Sequence, residues 1–208
     1  MANYPRPLCN PFIVCEHAWN ALEKCKSGIV IECGVYDGCT SAALNYSLRH
    51  SPYFTKQLAL DTFEGMPYDG TTQEQKAKFT KGHLATGNKN RTIYELKRLG
   101  IGVFAGKVED TLPVINEAAN EFSPSGLQIA FAYLDLDLEV PTRFCVKFLK
   151  DKILKGGRIG FHDYDPNPKY ALHGIYNVVK ENFMKSKEWK EVFRGKQRDN
   201  RFAFFERI

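Results

Sequence analysis

The sequence predicts a Rossmann-like, doubly wound α/β fold on a seven-stranded sheet, mostly parallel with a C-terminal antiparallel hairpin. Three observations carry that expectation. Short apolar runs alternate with amphipathic helical stretches, the pattern of a parallel sheet covered on both faces. Several runs end in a glycine or an acidic residue, where a strand would give way to a loop. The chain closes on two further strand-like runs around a charged turn, the spacing of a hairpin on a sheet edge.

Taken in order, residues 12–26 read as a leading helix, clearest over Cys15–Lys26, and Gly28–Cys33 (GIVIEC) as a buried first strand. Thr40–Arg49 is the next helix and Gln57–Asp61 (QLALD) the second strand. Residues 62–91 are long, polar and punctuated by glycine, with one predicted helix over Gln73–Thr80; a connection of that length suits a lid. Ile101–Ala105 is the third strand, Glu109–Glu121 a helix and Gln128–Leu134 (QIAFAYL) the fourth strand. Pro141 opens a helix to about Lys150, because its missing N–H would be unpaired in a first turn anyway. Gly156-Gly157 then turns the chain into a fifth strand, Arg158–Phe161, followed by a helix over Gly174–Met184. Trp189–Phe193 and Arg201–Glu206 form the closing hairpin around Gly195–Asn200. Phe202, Phe204 and Phe205 alternate only partly and read as core.

The length of 208 residues, 43% hydrophobic and 25% charged, fits one globular domain over residues 1–208. The net charge of +5 is spread among acids, which argues against a nucleic-acid partner. Six cysteines with no Cys-x-x-Cys pair predict free thiols in a reducing, cytoplasmic setting. Met1–Asn10 has two prolines and no apolar signal core, and no stretch approaches the ~20 apolar residues of a membrane helix. The oligomeric state stays open, a homo-oligomer included.

Ligands of open α/β sheets bind beyond the carboxyl ends of the strands, where strand order reverses. After the first strand, Gly34 and Gly38 permit a tight turn and close approach, and the next helix offers free N–H groups with the Thr40 hydroxyl. Asp61 ends the second strand, where a carboxylate can accept ribose hydroxyls, and the loop lacks the three-glycine dinucleotide fingerprint. That combination favours an adenosine without a pyrophosphate.

The run Glu32-Cys33-Gly34-Val35-Tyr36-Asp37-Gly38-Cys39-Thr40 resembles the Glu-x-Gly-x-Tyr-x-Gly-x-Ser/Thr motif of catechol-type O-methyltransferases. Leu60-Asp61-Thr62-Phe63-Glu64-Gly65-Met66-Pro67, Asp135-x-Asp137 and Asp163-Tyr164 are more similar still to the macrocin O-methyltransferase (TylF-like) family of class I S-adenosylmethionine-dependent methyltransferases, sugar O-methyltransferases of antibiotic biosynthesis. The resemblance runs from about Gly28 to Val179. It implies an S-adenosylmethionine site that takes in Glu32, Gly34, Tyr36, Gly38, Thr40, Asp61, Val108, Glu109 and Asp135. Within it Gly34, Tyr36 and Thr40 would hold the methionine part, Asp61 the ribose, and Val108 and Glu109 the adenine. Glu109 and Asp110 also suit a helix's first turn on electrostatic grounds alone.

Methyl transfer to oxygen needs alignment and help with loss of the hydroxyl proton, from a divalent cation or from a base. Asp135 and Asp163 stand at the ends of the fourth and fifth strands, and their oxygens suit magnesium, with His162 a third ligand. The family has Asp-Asp-Tyr where this chain has His162-Asp163-Tyr164, an exchange that softens the site towards manganese, iron or zinc, or makes His162 a base. Asp137 is the other candidate base. The expected acceptor is a hydroxylated small molecule of sugar or natural-product type, with Met66, Pro67 and Tyr68 beside it. The alternatives are a metal-independent methyltransferase using His162 or Asp137, or a noncatalytic nucleotide-binding module. His17 and His83 read as surface or packing residues and His173 as helix-entry polarity. The chain lacks an Asn-Pro-Pro-Tyr-type base-flipping motif.

Overall fold

In the computed structural model, which describes residues 10–66, 80–169, 173–195 and 201–208, seven strands form one sheet in the order β3-β2-β1-β4-β5-β7-β6. The strands are β1 (Ile29–Cys33), β2 (Gln57–Asp61), β3 (Gly102–Ala105), β4 (Ile129–Leu134), β5 (Ile153–Phe161), β6 (Trp189–Arg194) and β7 (Ala203–Arg207). β1 to β5 run parallel, while β7 enters antiparallel between β5 and β6. Strand order therefore reverses beside β1, between β2 and β4. The helices are α1 (Pro11–Cys25), α2 (Cys39–Leu48), α3 (Lys89–Arg98), α4 (Val108–Phe122), α5 (Glu139–Leu149) and α6 (His173–Asn182). Among the described residues, no helix is long and apolar enough to cross a membrane.

Period-two alternation explains how the strands serve two helical layers. Val30, Phe131, Tyr133 and Phe204 face α1 and α2, where Val14, Ala18, Leu22, Leu44 and Leu48 complete one core. Their neighbours Ile31, Ala132 and Phe205 face the other way, onto Leu112 and Ile115 of α4, Val146 and Leu149 of α5, and Val178 and Val179 of α6. The closing aromatics are core, as expected: Phe202, Phe204 and Phe205 are buried.

Three boundaries depart from the sequence reading. β5 begins at Ile153, and Gly156-Gly157 lie inside it rather than in a turn before it. The irregularity is absorbed by a register shift against β4 between Ile129 and Phe131. α5 starts at Glu139, so Pro141 falls at its third position, still within the first turn where no helical N–H bond is lost. α3 lies where the sequence suggested no helix; its N-cap Asn88 accepts from the Arg91 amide at 3.0 Å. Its strongly polar composition hides a single buried anchor, Leu96. The helix expected over Gln73–Thr80, Pro67 and Tyr68, the N-terminal segment before Asn10, and most of the turn Gly195–Asn200 lie outside the described residues.

A buried polar network fastens α1 to the far half of the sheet. Arg158 of β5 donates through Nε and Nη2 to Glu206 Oε2 of β7, at 3.0 and 2.9 Å. Its Nη1 lies 2.9 Å from His17 Nδ1, and Lys24 reaches Glu206 Oε1 at 2.5 Å. The His17 ring stacks on Phe204, centroids 4.0 Å apart, so this histidine packs against the core and stands away from the cleft described below. Burial pulls its imidazole down to about 4, with the Arg158 guanidinium adding to the effect. A histidine held below its ordinary 6.5 contributes stability in full above that pH and loses it as the pH falls from 6.5 towards 4. Urea unfolding of the native chain and of His17→Gln at pH 7.5 and pH 5 tests this. The native chain should lose about 2 kcal/mol more than the variant across that interval, and equal losses would exclude the buried neutral imidazole.

Candidate functional site

At the carboxyl edge the ladder continues one residue past four strand ends. Gly34 donates to Leu60 O at 2.9 Å, Asp135 to Cys33 O at 2.8 Å, His162 to Leu134 O at 3.0 Å and Gly106 to Asp61 O at 2.9 Å. Each bond delivers the first residue of a loop to a single cleft. Of the residues the sequence singled out, Glu32, Gly34, Tyr36, Thr40, Asp61, Val108, Glu109, Asp135, Asp137, His162 and Asp163 all line it. Gly38 does not; it is the N-cap of α2, at φ +84°, and rests on Leu96. Its part is to shape the loop.

Gly34 is fixed by sterics. It adopts φ +88°, and a Cβ there would stand 1.8 Å from the backbone oxygen of Asp135. No side chain fits where the β1 and β4 loops touch. Asp61 binds the same region from the other side: its Oδ2 accepts from the amides of Val35 and Tyr36 at 2.6 and 2.8 Å, and its Oδ1 from Phe63 at 2.7 Å. Much of the capacity that the sequence reading reserved for a ribose thus serves the protein's own loops.

Glu32 is buried at the floor and bonded to the Ser41 hydroxyl of α2. Burial pushes its carboxyl up to about 8 against the lowering effect of Ser41, and the charges of Asp135 and Asp61 push the same way. At neutral pH it is mainly a neutral acid.

The opposite wall gathers three carboxylates around one imidazole. His162 Nδ1 lies 3.0 Å from Asp135 Oδ1 and 3.1 Å from Asp163 Oδ2. Burial opposes charging the ring, but those two acids outweigh it and carry the imidazole up to about 12. Asp137 is raised well above the ordinary carboxyl range by burial, by the charges of Asp163 and Asp135, and by a hydrogen bond with Asp163. One ligand atom each from Asp135, His162 and Asp163 lies within 4.8 Å of the others, a set able to hold a metal ion.

Several cleft residues gave no sequence signal. Leu84, on the return arm of the long connection, lines the cleft in a left-handed conformation, φ +59°. That arm is fastened to the outgoing arm of the same connection: Met66 donates to His83 O at 2.8 Å, Gly82 to Met66 O at 3.0 Å, and Lys89 pairs with Glu64 at 2.6 Å. Gly65 allows the close pass, since a Cβ there would meet the oxygen of His83 at 2.4 Å. Thr86 Oγ1 then donates to Asp37 Oδ1 of the β1 loop at 2.5 Å. Residues this far apart in sequence carry no local pattern that pairs them. Met66, expected beside the acceptor, lines the cleft, whereas His173 bonds the Asp165 carbonyl at 3.1 Å as the first residue of α6.

No protein-family profile matches the chain, and no curated protein matches it by sequence. Solved structures do. The chain is similar to the calicheamicin methyltransferase CalS11, with a TM-score of 0.73 at 18% identity over 93% of this chain and 77% of that one. It is similar to the O-methyltransferase NovP, TM-score 0.71 at 16% identity over 95% and 78%. TomG from Streptomyces achromogenes, an O-methyltransferase in complex with SAM, gives 0.56 at 12% identity over 92% and 77%. The chain therefore has the seven-stranded α/β fold of these methyltransferases.

Two variants test the site's construction. Gly34→Ala should destabilise the chain by several kcal/mol, because it forces a strained φ and a backbone clash at once; a thermal midpoint equal to that of the native chain would exclude the packing described. Glu32→Gln should change the pH dependence of stability. A carboxyl raised to about 8 from an ordinary 4.5 costs nothing below 4.5 and destabilises progressively up to 8. Between pH 5.5 and 7.5 the native chain should lose about 2 to 3 kcal/mol relative to the glutamine variant, and parallel stability curves would exclude a neutral Glu32.

Proposed function

We propose that the chain is an S-adenosylmethionine-dependent O-methyltransferase that methylates a hydroxyl of a small molecule of sugar or natural-product type, assisted by a divalent cation. One observation carries the reading: the loops after β1, β2, β3, β4 and β5 converge on one cleft, where a glycine-turned loop faces a cluster of Asp135, His162 and Asp163. The similar structures support it, since CalS11 is described as a TDP-rhamnose 3'-O-methyltransferase and TomG was solved with SAM.

In this reading Gly34, Tyr36 and Thr40 hold the methionine part, with Glu32 beneath them. Val108 and Glu109 flank the adenine, and Asp61 keeps the loop in shape while offering its remaining lone pairs to the ribose. When bound, the sulfonium supplies an electrophilic methyl carbon, and a dication supplies charge that acidifies the acceptor hydroxyl. The donor set suits a dication, because carboxylates crowded enough to raise Asp137 gain from added positive charge. Asp135, Asp163 and His162 would hold it. Asp137, half-buried beside them, takes the acceptor's proton, its basicity increased by burial and by the neighbouring acids. Residues 62–91 act as the lid, and Met66, Leu84 and Pro141 exclude water from the reacting centre.

A second reading rests on the double contact of His162 Nδ1. An imidazolium held between two carboxylates is itself a resident cation, so transfer can proceed without a metal, with Asp137 as base. Methyl transfer that survives a strong chelator would select it.

Calorimetry with S-adenosylmethionine and with its demethylated product should show micromolar binding; none at high micromolar concentration, with or without magnesium, would refute the proposal. Asp61→Ala should weaken that binding and lower the thermal midpoint together, because the same carboxylate shapes the loop. Asp163→Ala should spare cofactor affinity to within about threefold and reduce turnover by 100-fold or more. Equal losses of cofactor affinity in both would refute the division of roles.

A further inference from the structure

The placement of one ring nitrogen restricts which dication the Asp135/His162/Asp163 cluster can take, and this step rests on the dication half of the reading above. His162 Nδ1 stands 3.0 Å from Asp135 Oδ1 and 3.1 Å from Asp163 Oδ2. An ion that engages both of those oxygens therefore meets the imidazole nitrogen. The ring has little freedom to leave. Its backbone is fixed by the bond to Leu134 O at 3.0 Å, its side chain is 15% exposed, and its ring packs, tilted by 57°, on Phe202 with centroids 5.1 Å apart. Phe202 is itself fully buried. The next residue, Asp163, is held in a left-handed conformation at φ +55°, so the two ligating side chains are set by a constrained backbone.

We propose that this cluster is a site for a nitrogen-accepting transition dication of the manganese, iron, cobalt or zinc kind, which displaces the Nδ1 proton of His162 to solvent and takes that nitrogen as an obligatory ligand, and that it discriminates against magnesium. Magnesium asks for oxygen ligands in a near-ideal octahedron and gives up its water reluctantly. Imidazole adds little for magnesium and much for the later first-row metals. Two carboxylates and one imidazole on a fixed backbone make a mixed nitrogen and oxygen set.

Cobalt(II) is the probe, on the whole chain and without any acceptor. Titration should give one ion per chain with a visible absorption band, and magnesium should be needed in roughly 100-fold excess or more to displace it. Proton NMR of the cobalt form should show a paramagnetically shifted, exchangeable imidazole N–H, a readout that needs no variant. His162→Asp should still bind a dication, lose that resonance, and let magnesium compete at less than about tenfold excess. Displacement by equimolar magnesium, or a bound cobalt without the shifted resonance, would overturn the inference and leave a metal-assisted methyltransferase standing. Failure of both cobalt and magnesium to bind would overturn it together with the dication half of the proposed function. The methyl-donor half is tested separately, by the metal-free calorimetry.

Discussion

The cleft takes its form from the carboxylate of Asp61, which accepts backbone amides from two loops at once. Val35 and Tyr36 reach it from the β1 loop and Phe63 from its own, all between 2.6 and 2.8 Å. Charge-assisted bonds of this kind are about twice as strong as neutral ones, and three on one group hold the β1 turn open with no ligand required. Gly34 then has to pass against the Asp135 carbonyl, which brings the metal-competent wall within reach of the glycine loop. A second fastening, Thr86 to Asp37, ties the return arm of the long connection to the same turn. The return arm is thereby anchored to the β1 loop.

Charge gives the cleft its character. Glu32, Asp37, Asp61, Glu109, Asp135, Asp137 and Asp163 line it, against Lys107 and His162. A concave surface of that sign concentrates cations. The protein limits the cost by three means: Glu32 keeps its proton, Asp137 is pushed towards keeping one, and the imidazole of His162 is charged by the acids around it. A sulfonium and a dication are the kinds of ligand such a surface accommodates, which is why the electrostatics and the proposed chemistry agree.

The sheet was legible in the sequence because its strands obey short-range rules: period-two alternation, β-branched runs and a hairpin at the end. Asp135 and His162 were placed at the cleft because strand ends are where a doubly wound sheet presents its ligands, and Tyr36 by its resemblance to a known glycine-loop motif; all three line it. Other features were hidden for physical reasons. α3 is mostly polar, and its short apolar face, Ile93 and Leu96, is easily passed over in so charged a segment. The Gly156-Gly157 pair looks like a turn, but a strand with an irregular register tolerates it. Asp61 was expected to face a ribose, yet its first partners are backbone amides, and amides carry no sequence signature. Leu84 reaches the cleft only because Gly65 lets a distant arm pass closely, a contact fixed by tertiary structure alone.

Backbone strain separates the residues that shape the cleft from those that merely occupy it. Among the described residues, the non-glycine positions at positive φ are Lys26, Tyr36, Phe63, Leu84, Asp137 and Asp163. Lys26 ends a helix, where that conformation is ordinary. Phe63 packs beneath the β2 loop, and the other four line the cleft. Each costs about 1 kcal/mol or more relative to a relaxed backbone, and glycine would remove that cost. At Tyr36, Asp137 and Asp163 the chain instead keeps a ring or a carboxylate. Asp137 and Asp163, both at positive φ, share a hydrogen bond. The strain at these positions buys the placement of particular functional groups, and it is concentrated where the loops of five strands meet.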